Sequence, residues 1–365
     1  MKILKLLSTV AIALAILPTF AEEKKLVVPD NLVWHDSKSL GLEGQAWPEA
    51  KTPYGRVGTK FKDTVPERIW NLSTSSTGMC VNFETNAKEI WIRRSFSSRT
   101  MQGVCYTLTG YSGFDLYAKD KNGMFRWLAS TNYNNADYDT YPIFKTNGKK
   151  YEYRIYLPMR NALLKGEVGV PKGCYFKAIP ARKKPIVFYG TSIVHGAYVS
   201  HPGISHPSII GRRLDMPIVN LGFSGSAKME LSMADLLADI DAAAYVIDAQ
   251  PNMHYRLVKE RCEPFLRRLR ELRPDTPILL VERAQSLLDW YWYDDENKQT
   301  TMWLEQRKIY DKLIAEGEKN MLYLRGENLF GGTGEESVDN VHPNDIGFMS
   351  MADKMTPLLK KLLKK

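Results

Sequence analysis

The second half of the chain alternates short apolar runs with stretches of helical periodicity. The runs that predict buried strands cover residues 186–189, 218–221, 245–248, 278–281 and 321–324. Apolar residues at a spacing of three or four predict helices over residues 229–240, 257–272, 303–317 and 345–363. Alternating strands and helices are typical of a parallel sheet with helices on both faces. We therefore predict a doubly wound α/β domain over residues 183–365.

The first half of the chain has a different pattern. Short runs rich in β-forming residues, separated by turn residues, cover 68–70, 80–83, 90–92, 104–108, 114–117 and 151–157. The Asp-Lys-Asn-Gly sequence at 120–123 is typical of a hairpin turn. Many short strands predict an all-β domain, a sandwich or jelly roll, over residues 25–179. Its many aromatic residues either fill the β core, which we favour, or form a carbohydrate-binding face.

Residues 1–21 have the pattern of a secretory signal peptide. Lys2 and Lys5 precede an almost unbroken apolar run over 6–17, and residues 19–21 (Thr-Phe-Ala) offer small residues for cleavage. The apolar run is too short to span a bilayer as a helix. We therefore expect an exported protein, periplasmic or extracellular, without stable membrane insertion.

Composition and charge narrow the function classes only slightly. The 365 residues carry a formal net charge of +9, but no basic helix is interleaved with aromatic residues. Nucleic-acid binding is therefore not expected, whereas attraction to acidic glycans stays open, and so does the oligomeric state. None of the four cysteines has the spacing of a metal site. Cys80 and Cys105 form a disulfide in one interpretation, and in the other Cys80, Cys105, Cys174 and Cys262 are all free and buried.

Polar residues suited to acyl transfer follow the predicted strands. Ser192 comes shortly after the first strand, and Gly222 and Asn252 follow the second and third strands. Asp339 precedes His342 by three residues, just before the last helix. The carboxyl ends of parallel strands meet at one edge of a sheet, so these residues can supply a nucleophile, a base and oxyanion donors there. Taken alone, Ser192 is equally typical of a turn or a helix cap.

Four sequence blocks, in order, resemble those of the SGNH hydrolases, also called the GDSL esterase/lipase family. The matching residues are Ser192 in GTS, Gly222 in NLGFSG, Asn252 in QPNM and His342 in DNVH. The first half is similar to the β-sandwich domain that precedes the hydrolase domain in a subgroup, through WNLS at 70–73 and SGFDLY at 112–117. Two positions depart from the family pattern: Thr191 replaces an Asp, and residues 250–253 (Gln-Pro-Asn-Met) replace G-x-N-D.

The resemblance implies a role for each matching residue. Ser192 attacks an ester carbonyl, His342 removes its proton, and Asp339 holds the imidazole in the required tautomer. The backbone N–H groups of Ser192 and Gly222, together with the Asn252 side chain, stabilise the oxyanion. The implied reaction needs no metal and no organic cofactor.

Other residues are weaker candidates for the site. We expect His195, Glu230, Trp290 and Trp292 to contact the substrate, the two tryptophans as part of an aromatic segment at 289–297. That segment forms a wall or lid of the pocket, or else packs on the first domain. His195, His201, His206 and His254 raise the alternative of a metal centre, but no carboxylate cluster accompanies them, so we expect no metal.

These observations predict an exported serine esterase without a cofactor. Its expected substrate is a small-molecule or glycan ester, with acetyl as the expected acyl group and a carbohydrate as the expected acceptor. A lipase or thioesterase acting on lipid-like esters is the alternative within the enzyme class. A catalytically silent glycan-binding protein is the alternative outside it, although it would have no need to keep Ser192, Asp339, His342 and Asn252.

Overall fold

A computed structural model of the chain describes residues 26–98, 101, 103, 105–131, 139–288, 291 and 301–364. The predicted signal peptide at 1–21 lies outside these residues and stays a prediction. No helix in the described ranges is both long and apolar enough to cross a membrane.

The N-terminal β region consists of two antiparallel sheets. Its strands are β1 (Leu32–Asp36), β2 (Cys80–Thr85), β3 (Glu89–Phe96), β4 (Asp115–Lys119), β5 (Phe125–Ser130), β6 (Thr140–Lys145), β7 (Tyr151–Tyr156), β8 (Leu163–Pro171) and β9 (Phe176–Ile179). One sheet has the order β1-β8-β3-β6 and the other β5-β4-β7-β2-β9. The His35 ring of β1 stacks on Phe176 of β9 at 3.7 Å, so the two sheets are in contact.

Two runs predicted as strands in this region are wrong. Residues 68–70 lie in helix α1 (Glu67–Leu72), and the run at 104–108 ends in helix α2 (Leu108–Ser112). The Thr107 side chain accepts a hydrogen bond from Gly110 N–H and so caps α2, a local signal that the β-forming residues around it mask. The hairpin turn at 120–123 is confirmed, because it joins β4 to β5.

The C-terminal α/β region contains the predicted parallel sheet. Its strands are β10 (Ile186–Gly190), β11 (Ile218–Gly222), β12 (Ala244–Asp248), β13 (Ile278–Val281) and β14 (Met321–Leu324), in the order β11-β10-β12-β13-β14. Its helices are α3 (Ser192–His195), α4 (His206–Leu214), α5 (Leu231–Ala238), α6 (Tyr255–Leu272), α7 (Thr301–Ala315) and α8 (Asp345–Leu363). The predicted fold class is confirmed.

Successive residues of the central strand β10 supply two separate cores. Val187 and Tyr189 belong to the core under α5, α6 and α7, whereas Ile186 and Phe188 belong to the core under α4 and α8. This alternation follows from the pleat of a strand that is covered on both faces. The chain order reverses at β10, which lies between β11 and β12, and open α/β sheets bind their ligands beside such a point.

The N-terminal half contributes to the core of the α/β region. Trp47, Val57, Val65 and Ile69 pack in the same cluster as Leu221 of β11. The range Asn31–Lys365 accordingly forms one compact unit. The predicted bounds 25–179 and 183–365 therefore separate the antiparallel sheets from the parallel sheet. Their use as domain limits stays a prediction.

All four cysteines are free. Cys80 and Cys262 are buried, whereas Cys105 and Cys174 are partly exposed. The interpretation with a disulfide between Cys80 and Cys105 is therefore wrong for this structure, and the interpretation with four buried thiols holds for two of them.

Candidate active site

Ser192 occupies a sharp turn from β10 into α3. A Cβ added at Gly190 would overlap the Asp248 carbonyl and the Val194 side chain, so only glycine lets the chain turn here. Thr191 caps α3 by accepting a hydrogen bond from Ile193 N–H at 3.2 Å. The Thr that replaces the family's usual Asp thus retains a capping function. The turn places Ser192 as the first residue of α3, at the carboxyl edge of the sheet.

Ser192, His342 and Asp339 form a continuous hydrogen-bonded chain. The distance between Ser192 Oγ and His342 Nε2 is 2.8 Å, and His342 Nδ1 lies 2.8 Å from Asp339 Oδ2. The sequence therefore identified three side chains that the fold does bring together. Their order, hydroxyl to imidazole to carboxylate, is the arrangement that activates a serine nucleophile.

The loop between Asp339 and His342 is a tight turn. Asp339 Oδ1 accepts hydrogen bonds from the N–H groups of Val341 and His342 at 3.0 and 2.8 Å, and Asn340 has a left-handed φ of 66°. Partial burial alone would raise the pKa of Asp339, but hydrogen bonds from His342 and Val341 lower it below its usual value. The carboxylate is therefore ionised at neutral pH and can orient the imidazole.

A buried carboxylate holds the chain just before this turn. Glu336 accepts hydrogen bonds from the N–H groups of Gly332, Thr333 and Gly334. Burial opposes ionisation of Glu336, but these hydrogen bonds prevail and lower its pKa to about 2. Ser337 Oγ also donates to the His342 carbonyl at 2.7 Å. His342 is thus held from both sides of the loop.

The donors expected for an oxyanion divide into two groups. Asn252 Nδ2 donates to the Phe223 carbonyl at 3.4 Å, which places its side chain at the loop after β11. The Gly222 N–H, by contrast, donates to Asn220 Oδ1 at 3.0 Å and is already used. A Cβ on Gly222 would overlap the His195 backbone, so Gly222 is needed for close packing. The geometry therefore does not support Gly222 as an oxyanion donor.

The sequence predicts no role for Gly225, the second glycine of the NLGFSG block. It is exposed and left-handed, with a φ of 64°. In the described part of the chain, its N–H group makes no hydrogen bond. A second glycine three residues after the first, in the same block, is the signal that could have identified it.

Family models match nearly the whole of this two-region chain. The model of the GDSL-like lipase/acylhydrolase family matches residues 183–360, and the model of the N-terminus of SGNH-hydrolase-type esterases matches residues 32–176. The chain belongs to the GDSL-like lipase/acylhydrolase family. This GDSL-like protein is therefore a carboxylic ester hydrolase, as its sequence predicts.

Solved structures share the fold of this GDSL-like hydrolase over both regions. A protein of Bacteroides ovatus described as a GDSL-like lipase is 29% identical, with a TM-score of 0.82, and the match covers 92% of this chain and 98% of that one. A salicylyl-acyltransferase from a tetracycline biosynthetic pathway is 17% identical, with a TM-score of 0.71 and coverages of 91% and 98%. A family two carbohydrate esterase from Cellvibrio japonicus is 11% identical, with a TM-score of 0.58 and the same coverages. No significantly similar protein was found among curated sequences.

His195 does not line the substrate pocket of this GDSL-like hydrolase, contrary to the prediction. Its side chain is buried, and His195 Nε2 lies 2.8 Å from the Met159 carbonyl, with which it forms a hydrogen bond. Burial lowers the pKa of His195 well below its usual value, and the charges of Arg160 and Arg56 lower it further. His195 is therefore a neutral residue that joins α3 to the N-terminal β region.

Glu230 is engaged in structural contacts. It accepts hydrogen bonds from Lys228 N–H at 3.0 Å and from Tyr189 OH at 3.4 Å, and it pairs with Arg261 at 3.2 Å. These contacts fix the start of α5 and do not support the predicted role in substrate binding. Trp290, Trp292 and most of the segment 289–297 lie outside the described residues.

The histidines considered for a metal centre each make separate contacts with other residues. His201 Nδ1 pairs with Asp115 Oδ2 at 2.5 Å, whereas the His206 ring is buried against Phe348 and Phe188. His254 precedes α6 as its N-cap residue. Within the ranges that the structure describes, no group of three or more His, Cys, Asp or Glu side chains could hold a metal ion.

Asp248 is a buried acid at the same sheet edge for which the sequence suggested no role. It ends β12 directly opposite Gly190, and its Oδ2 atom has no hydrogen-bond partner. Burial raises the pKa of Asp248 to about 7. It therefore titrates near neutral pH beneath the turn that carries Ser192.

Proposed function

We propose that this hydrolase is an exported serine esterase that removes acyl groups, with acetyl expected, from carbohydrate. The observation that carries the proposal is the chain of two 2.8 Å contacts from Ser192 Oγ through His342 to Asp339. The reaction class itself, ester hydrolysis, follows from the family to which the chain belongs.

In the proposed reaction, Ser192 Oγ attacks the ester carbonyl carbon while its proton passes to His342 Nε2. The tetrahedral intermediate then collapses, the bond to the alcohol oxygen breaks, and His342 returns the proton to the leaving alcohol. Water next attacks the acyl-serine, with His342 again as the base, and the carboxylic acid leaves. Asp339 keeps Nδ1 protonated and stabilises the imidazolium in both steps.

The oxyanion donors in this proposal are the Ser192 N–H, the Asn252 side chain and the Gly225 N–H. As the first residue of a helix, Ser192 has an N–H group without an intrahelical partner. Asn252 uses one of its two amide hydrogens for Phe223, which leaves the other for a ligand. Gly225 takes the place expected for Gly222, because the Gly222 N–H is bonded to Asn220.

Two observations support a glycan ester as the substrate. The Cellvibrio japonicus carbohydrate esterase has the same two-region fold over nearly its whole length. The predicted signal peptide at 1–21 would bring the enzyme to the periplasm or the cell exterior, where polysaccharides are available. A lipid or thioester substrate remains the alternative that the experiment below is designed to distinguish.

The first test is the hydrolysis of 4-nitrophenyl esters, from acetate to octanoate, by the wild type and by Ser192→Ala. We expect activity that is highest on acetate and falls by about 10⁴–10⁶-fold in Ser192→Ala, since the nucleophile is lost. Ser39→Ala, which changes an exposed serine in the turn after β1, is the matched control and should retain wild-type rates.

Each other outcome points to a different conclusion. A preference for octanoate would favour the lipase or thioesterase alternative. Undiminished turnover by Ser192→Ala would show that another residue is the nucleophile. If the wild type hydrolyses no ester at all, including acetylated xylan and mannan, the protein is better explained as a glycan-binding protein.

A further inference from the structure

A cluster of aromatic and cationic side chains lies beside His342, on the side of the N-terminal β region. It consists of Tyr106, Tyr111, Arg160 and Tyr198, which we call the tyrosine–arginine cluster. The centroids of the Tyr198 and His342 rings are 5.0 Å apart in an edge-on arrangement, and those of the Tyr106 and Tyr198 rings are 4.6 Å apart. The Arg160 guanidinium lies over the Tyr106 ring at 4.6 Å. An unbroken line of contacts therefore leads from the triad to Arg160.

Arg160 has no acidic partner. In the described part of the chain its side chain makes no salt bridge, and its Nε atom is buried without a hydrogen bond. The titratable groups nearest its guanidinium are the neutral hydroxyls of Tyr106, Tyr111 and Tyr198. Arg160 is half-buried, and a charge that is partly withdrawn from water gains from a partner of opposite sign. The positive charge of Arg160 is therefore available for a ligand.

The cluster is rigidly built. Gly110 lies so close to the Val199 carbonyl that a Cβ would overlap it, and Thr107 Oγ1 donates to the Ser200 carbonyl at 2.8 Å. These contacts hold the Tyr106 segment against the loop that carries Tyr198. Arg160 N–H in turn donates to the Tyr111 carbonyl at 3.1 Å.

Tyr198 has a backbone conformation that side chains rarely adopt. Its φ of 67° lies in the left-handed region, which costs free energy for a residue other than glycine. This conformation directs the ring to the edge of His342. Strain of this kind concentrates at functional sites, which favours a role for the cluster in binding.

We propose that Arg160 binds a carboxylate of the substrate, so that the ester cleaved by Ser192 belongs to an acidic compound. This inference rests on the proposed function and specifies its substrate class. The carboxylate comes either from the acceptor, as in a uronic acid, or from the acyl group, as in the half-ester of a dicarboxylic acid.

The chemistry of the cluster matches a carboxylate. A guanidinium presents planar pairs of N–H donors that suit the two oxygens of a carboxylate. Burial raises the pKa of Tyr106 to about 12, so its hydroxyl stays neutral and can donate a further hydrogen bond. Tyr198 also has a raised pKa, first through burial and then through the charge of Asp339. The formal net charge of +9, of which Lys2 and Lys5 of the predicted signal peptide supply 2, stays positive without them and favours the approach of an acidic substrate.

Two pairs of substrates, each differing by one carboxylate, test the proposal. The first pair is methyl 2-O-acetyl-glucuronoside and methyl 2-O-acetyl-glucoside, and the second is mono-4-nitrophenyl adipate and 4-nitrophenyl hexanoate. We expect the wild type to favour the acidic member of one pair in kcat/KM, and that pair identifies the source of the carboxylate. Arg160→Gln should lower this ratio by about 10–100-fold, and Arg160→Lys by less, since it keeps the charge. Because the readout is a ratio, a general loss of folded protein does not affect it.

Arg126→Gln is the matched control. Arg126 lies in the same β region, but it is exposed and paired with Asp120, so its loss removes an equal charge at a distance from the cluster. The ratio in this variant should equal that of the wild type. No preference for the acidic member of either pair in the wild type, or an unchanged ratio in Arg160→Gln, would overturn the proposal.

A binding measurement separates this inference from the proposed esterase function. Ser192→Ala binds without turnover, so calorimetric titration with each of the four compounds reports recognition alone. We expect tighter binding of an acidic member, and we expect the double variant with Arg160→Gln to lose that difference. Equal affinities within both pairs would refute the role of Arg160, even if Ser192 proves to be the nucleophile. A retained difference without any ester hydrolysis would refute the esterase and leave the carboxylate site in place.

Discussion

The two sides of Ser192 differ in how completely their polar groups are paired. On the side of the loop before α8, Asp339, Glu336 and His342 all have hydrogen-bond partners within the loop or in Ser192. On the side of the N-terminal β region, the donor Arg160 Nε is buried without a hydrogen-bond partner. The polar groups of the loop before α8 are therefore all paired before any substrate binds, whereas those beside the N-terminal β region are not.

This difference distinguishes groups that perform a reaction from groups that select what reacts. A fully paired loop holds the imidazole at a fixed distance from the nucleophile at no further cost when substrate binds. An unpaired buried donor is costly in the free protein and gains a partner only when a ligand supplies one. The comparison therefore supports the proposals that the α/β region performs the chemistry and that Arg160, in its neighbour, contributes to specificity.

Apart from loss of the nucleophile itself, the largest expected effect comes from breaking the paired side at Asp339. An amide at this position donates to His342 Nδ1 and stabilises the wrong tautomer, so Asp339→Asn should lower kcat by about 10²–10⁴-fold with little change in KM. Asp353→Asn, on the exposed face of α8, is the control, since it removes the same charge from a surface pair with Arg213. Near-normal kcat in Asp339→Asn would mean that His342 does not depend on this carboxylate.

Asp248 extends the comparison to the sheet edge beneath the triad. Because its folded pKa of about 7 exceeds the value of about 3.9 in an unfolded chain, the folded state binds more protons between these two values. The contribution of Asp248 to stability is thus favourable at pH 4 and is lost as the pH rises to 7. The free energy of unfolding of Asp248→Asn, compared with that of the wild type, should therefore rise by on the order of 2–4 kcal/mol as the pH increases from 4 to 8.

The measurement for Asp248→Asn is the free energy of unfolding in urea at several pH values. Asp241→Asn is a suitable control because Asp241 is exposed, so this variant makes the same substitution without removing a buried carboxyl group. A parallel dependence on pH in wild type and Asp248→Asn would show that Asp248 is already ionised at low pH.

The smallest expected effect is that of Gly110→Ala, which tests whether the N-terminal β region influences the site around Ser192. In Gly110→Ala the new methyl group overlaps the Val199 carbonyl, so α2 must move away from the loop that carries Tyr198. We expect kcat/KM to fall by about tenfold and the protein to be destabilised by about 1–3 kcal/mol. Gly332→Ala, whose methyl group would find no atom nearer than 3.7 Å, is the control. Lower stability with unchanged kcat/KM would mean that the β region does not position the site.

The paired side could be predicted from the sequence, and most of the unpaired side could not. Ser192, Asp339 and His342 are held by turns whose signals are local: a glycine before a capping Thr, and a carboxylate three residues before an imidazole. Strands β10 to β14 likewise show as apolar runs, since both faces of that sheet are buried.

The tyrosine–arginine cluster has no local signal. Tyr106, Arg160 and Tyr198 are brought together by packing between distant segments, and the β-forming residues around 104–108 hide the helix that begins at Leu108. The sequence predicts Gly222 as an oxyanion donor because it does not reveal that Asn220 already accepts the Gly222 N–H. Hydrogen bonds of this kind depend on geometry that a motif does not encode.

Trp47, Val57, Val65 and Ile69 have a consequence for how this enzyme could be shortened. They fill the core beneath β11 although they precede the α/β region by more than a hundred residues. Burial of each contributes about 2 kcal/mol, so together they contribute about as much as the whole net stability of a typical domain. A catalytic fragment that began at residue 183 would expose a strip of its own core to water. Evolution could therefore exchange the loops of this enzyme far more readily than it could detach the first half as a separate module.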